Sequence, residues 1–125
     1  MAISKNKVRD FKKLDIWKQS IDLVKEVYIV VEKLPFEEKF GLRSQITRAA
    51  VSVPSNIAEG SSRNSDIEFK RFLEIAMGSL FELETQLIIS KELGFIKEEI
   101  LVSVFGNIEK EAKMINSLIN KIKQG

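Results

Sequence analysis

LRSQITRAAVSVPSNIAEG, residues 42–60, and FLEIAMGSLFELETQL, residues 72–87, carry the pattern from which the architecture follows. Apolar side chains recur every three to four residues, at Leu42, Ile46, Ala49, Val53 and Ile57, then at Phe69, Leu73, Ala76, Leu80, Leu83 and Leu87. That period belongs to two amphipathic helices that bury one face each. Beside these stripes stand Ser52, Ser55, Asn56, Glu59, Glu82 and Gln86. Buried polar groups need partners, so these six are expected to form one hydrogen-bonded layer between the two helices and to fix their register. A small-ligand or metal pocket is the alternative reading of the same set.

Working outward, a helix is expected from Asp15, as its cap, to Leu34, where Pro35 ends it. The next helix covers residues 42–59. Pro54 lies inside it, which predicts a kinked but continuous helix in preference to a break with Val53 as a poor N-cap. Gly60 is expected to close it as a left-handed cap. Ser65-Asp66-Ile67-Glu68 has capping-box spacing and starts a third helix that ends at Leu93, with Gly94 just beyond. Within it, Gly78-Ser79 costs about 1 kcal/mol in helix propensity, for which close helix approach is the expected compensation. A fourth helix spans residues 97–123, with Leu101, Val104, Ile108, Ile115, Leu118 and Ile122 as its stripe. The fold class is therefore all-α, an antiparallel up-down-up-down four-helix bundle with its second helix kinked at Pro54.

The chain has 125 residues, 44% hydrophobic and 30% charged, which is the size and balance of one soluble domain. There is no cysteine, so disulfides, thiolate nucleophiles and cysteine metal sites are excluded. No apolar run is long enough to span a membrane, and the start lacks the apolar core of a signal peptide, so a cytoplasmic location is expected. Tyr28, Phe72, Ile75, Phe81, Ile88 and Phe105 lie off the stripes. Apolar surface of this kind marks a partner face, and self-association is expected.

Histidine is absent too, which removes Ser-His-Asp and Cys-His catalysis and the Glu-x-x-His pairs of di-iron bundles. No phosphate-binding glycine loop is present. No enzyme activity, catalytic residue, cofactor or metal site is expected. The net charge is only +2. Yet residues 1–13 carry Lys5, Lys7, Arg9, Lys12 and Lys13 against Asp10 alone. A basic arm of residues 1–13 on a bundle domain of residues 14–125 is a nucleic-acid-binding layout, and equally a solvated tail. Arg43, Arg48, Arg63, Lys70 and Arg71 complete the candidate phosphate contacts. Lys70 with Glu74 also fits an ordinary helical ion pair. No aromatic-rich motif accompanies these cations in the sequence, which leaves single-strand readout without support.

The segment Ser52-Val53-Pro54-Ser55-Asn56-Ile57-Ala58-Glu59-Gly60, followed by Ala76-Met77-Gly78-Ser79-Leu80 with Glu82, Glu84 and Gln86, resembles the four-helix bundle proteins encoded in intervening sequences of bacterial 23S ribosomal RNA genes. The resemblance runs over about residues 11–120. It implies a ring-like homopentamer, related to the accessory variability protein of diversity-generating retroelements, a basic pentamer that associates with nucleic acid and a reverse transcriptase. Members often carry a second basic residue beside the arginine at Arg48, where this chain has Thr47. The expected function is a non-enzymatic oligomer that offers basic surface to structured RNA, other nucleic acid or a nucleic-acid enzyme. A protein–protein scaffold without nucleic-acid binding is the alternative.

Overall fold

The computed structural model describes residues 9–125. Four helices make up the fold: α1 (Asp15–Val30), α2 (Leu42–Ser61), α3 (Asp66–Glu92) and α4 (Glu98–Gln124). They form the expected four-helix bundle, with α2–α3 the most extensive interface and α1 packed on both α2 and α4. Among the described residues there is no strand.

The helix ends follow local chemistry. Asp15 is the first residue of α1 and not its cap; Leu14 holds the cap position without a side-chain bond, and the Asp15 carboxylate instead suits the positive end of the helix. The last turn tightens to a 3-10 turn at Val31–Lys33 and stops at Leu34, before Pro35. At the start of α2, the Glu38 Oε1 accepts the Leu42 N–H at 3.1 Å. Ser65 accepts the Glu68 N–H at 3.2 Å, as the capping-box spacing predicts. At the far end of α3, Gly94 (φ 77°) allows Gly94 N–H to bond Lys91 O and Phe95 N–H to bond Ser90 O, the paired bonds of a Schellman motif.

Helix α2 runs through Pro54 without a break. It also continues past Gly60, which is helical and not a left-handed cap. Gly60 is there for space: a Cβ on it would come 2.5 Å from the Phe72 Cβ. Gly78, expected to allow close approach, does the opposite. It faces outward, and a Cβ there would meet nothing within 4 Å.

The core joins the apolar stripes of α2 and α3, of which Leu42 is only partly buried, to residues such as Leu23, Val27, Leu101, Val104, Ile108 and Ile115. The expected polar layer between α2 and α3 is absent. With Val53, Pro54 and Ile57 turned inward, residues 52, 55, 56 and 59 must turn away. Their polar groups are satisfied along their own helix. Ser52 Oγ donates to Ala49 O at 2.8 Å, Ser55 Oγ to Val51 O at 2.9 Å and Asn56 Nδ2 to Ser52 O at 2.8 Å. Glu59 is exposed and pairs with Arg63, while Glu82 is exposed on the far side of α3. Gln86 alone of the six is buried, and its Oε1 has no partner among the described residues.

The α4 stripe differs from the expected one at two positions: Ile119 is buried where Leu118 was expected, Leu118 being only partly so, and an unforeseen carboxyl group lies in the core. Glu111 is 0% exposed and continues the α4 stripe between Ile108 and Ile115. Neither carboxyl oxygen has a hydrogen-bond partner among the described residues. Burial pushes its pKa up from 4.5 to about 8, so the group is held largely as the neutral acid near pH 7. Its signal was the gap in the spacing 101, 104, 108, 115, which a residue at 111 fills.

Candidate nucleic-acid interface

The sequence-derived cations divide by their surroundings. Lys5 and Lys7 lie outside the described residues. Arg9, assigned to the arm, is docked against the bundle. Its Nη1 donates to Arg63 O at 2.7 Å and to Ser61 O at 3.3 Å, its Nη2 meets Asp66 Oδ1 at 2.6 Å, and its guanidinium lies 4.5 Å from the Phe69 ring centroid. Only 9% of that side chain is exposed, so Arg9 is no phosphate contact. Four donor and ring interactions converge there because the end of α2 leaves carbonyls unpaired and the start of α3 favours an acid.

Lys12 and Lys13 remain exposed, on a short 3-10 turn (Phe11–Lys13) beside α1. Arg63 stacks over Phe72 at 4.8 Å and pairs with Glu59 at 3.8 Å. Lys70 pairs with Glu74 at 3.6 Å. Arg71 is exposed and points from the outer side of α3, away from the others. Arg63 and Lys70 are thereby partly neutralised.

Arg43 and Arg48 are brought into one surface, although their spacing of five separates them by about 140° around α2. Two adjoining grooves run along the α1–α2 side and share Tyr28 and Thr47. The first, roughly 520 Å³, is lined by Arg48, Val51, Ser52, Ser55, Asn56 and Glu59. The second, roughly 530 Å³, is lined by Pro35, Phe36, Lys39, Phe40, Arg43 and Ser44. Arg43 pairs loosely with Glu32 at 3.3 Å. Arg48 makes no ion pair among the described residues, and Lys39 sits over the Phe40 ring at 5.5 Å. Four of the six residues expected in an inner polar layer, Ser52, Ser55, Asn56 and Glu59, thus line an outer groove, the two serine hydroxyl lone pairs and the Asn56 carbonyl still open to a ligand.

Aromatic side chains join them here. Phe36 is 82% exposed, Phe40 88% and Tyr28 47%. Sequence inspection missed this cluster because its members are scattered over a helix, a 3-10 turn (Phe36–Glu38) and a loop. Among the described residues no three His, Cys, Asp or Glu side chains gather as metal ligands, and no helix is long and apolar enough to cross a membrane.

Residues 12–117 match the family described as 23S rRNA-intervening sequence protein. A solved structure of a protein of unknown function from Bacteroides thetaiotaomicron, assigned to the S23 ribosomal protein family, is 25% identical. It superposes with a TM-score of 0.76 over 83% of this chain and 97% of its own. No curated protein matches.

Proposed function

The chain belongs to the 23S rRNA-intervening sequence protein family, and from that premise we propose that it is a non-enzymatic, pentamer-forming bundle that binds structured RNA through the α1–α2 surface. The observation that carries this reading is the convergence of Lys39, Arg43 and Arg48 on two joined grooves whose single acidic lining residue, Glu59, is already paired. Cations with free or weakly held charge recognise phosphates by displacing condensed counterions. The pentamer would repeat this surface five times, turning weak single sites into avid binding.

The test is binding of a hairpin RNA by fluorescence anisotropy at salt concentrations from about 50 to about 200 mM. Affinity should fall with salt, and Arg48→Ala with Lys39→Ala should weaken binding and flatten the salt slope. Absence of binding at low salt, or binding indifferent to salt, counts against the reading.

A protein-directed scaffold is the second reading, favoured by the exposed apolar residues Ile67, Ile75, Phe81, Ile88 and Ile89 on the outer face of α3. Under the first reading that face serves self-association. Recovery of a defined protein partner after nuclease treatment, with no RNA affinity, would favour the second.

A further inference from the structure

Resting on the RNA reading, we infer that the second groove is a stacking site for unpaired bases, so that the RNA bound is a single-stranded or looped segment and not a regular duplex. Phe36 and Phe40 lie in the short connector between α1 and α2 and are almost fully in water, while Tyr28 faces the same groove from α1. Leaving two phenylalanines so exposed forgoes the hydrophobic gain of burying them, and a contiguous apolar patch of this sort signals a partner.

The chemistry around the rings identifies it. Lys39 lies against Phe40, Arg43 lines the same groove, and Arg48 follows along α2. Flat π-faces interleaved with cations match a chain that alternates bases and phosphates, and stacking of bases on such rings is tolerant of sequence because every base has a π-face. A paired duplex keeps its bases stacked on each other and offers these rings nothing. The hydroxyl- and amide-lined first groove continues the track, and residues 43–59 span roughly 24 Å along the helix, enough for several nucleotides.

Two probes separate this inference from the reading beneath it: an unstructured RNA 12-mer and a blunt, fully paired RNA duplex, each titrated against the full chain. The wild type should bind the 12-mer more tightly. Phe36→Ala with Phe40→Ala should weaken the 12-mer about tenfold or more, leaving duplex affinity and salt slope unchanged. Phe36→Leu with Phe40→Leu, which keeps apolar bulk but no ring, should lose 12-mer binding equally. Leucine variants that bind the 12-mer like wild type would overturn the stacking site while leaving phosphate binding intact. Failure of the wild type to bind either probe would overturn both. The rings are exposed, so unchanged circular dichroism and melting are expected for all variants.

Discussion

Folded Glu111 keeps its proton up to about pH 8, whereas the same carboxyl in the unfolded chain loses it near its ordinary value of 4.5. Between these values only the folded state holds the proton. The stabilising contribution is therefore complete below about 4.5 and is lost as pH rises toward 8, by up to roughly 1.4 kcal/mol per pH unit. Denaturant midpoints measured from pH 5 to 8 should fall steadily for the wild type and stay nearly level for Glu111→Gln, which cannot titrate. A midpoint that rises with pH would refute the assignment of the buried neutral acid. The same scale explains Ser52, Ser55 and Asn56. Short polar side chains find a carbonyl three or four residues back, so they need no neighbour helix and can face outward.

At the scale of elements, Arg9 ties the chain ahead of α1 to the α2–α3 junction. It bridges the Ser61 and Arg63 carbonyls and the Asp66 carboxylate while stacking on Phe69. Its removal leaves a part-buried acid and two carbonyls short of a donor, a loss of about 2 kcal/mol. Arg9→Ala should lower the melting temperature by several degrees. Arg9→Lys should recover only part, since an ammonium cannot fork to three acceptors. Equal melting temperatures for Arg9→Ala and wild type would show that the junction holds without this bridge. A tight junction also depends on Gly60, whose missing side chain lets α2 approach Phe72.

For the molecule as a whole, the two outward surfaces differ in kind. The α1–α2 side mixes cations, hydroxyls and rings. The outer face of α3 carries exposed apolar residues, Ile75 and Phe81 around an open Gly78, alongside Arg71 and Glu82. Helix α3 thus has apolar side chains on both its buried and its exposed face, and exposed apolar residues in water favour burial against a partner. If the proposed pentamer forms through this face, Ile75→Glu with Phe81→Glu should leave helicity and melting near wild type at low concentration, and light scattering should report the protomer mass in place of the pentamer mass. A large assembly that survives both substitutions would place self-association elsewhere.

From the sequence alone came the four helices, their order, the capping box at Ser65, the Gly94 terminus and the stripes that meet in the core. Each of these follows from local preference or from a periodicity that runs along the chain. The tertiary structure alone decided that Arg9 is a clamp, that the Glu111 carboxyl meets no hydrogen-bond partner among the described residues, and that Tyr28, Phe36 and Phe40 share a groove with Arg43. Those facts depend on where one element sits against another, and residues far apart in sequence become neighbours only once the helices have packed.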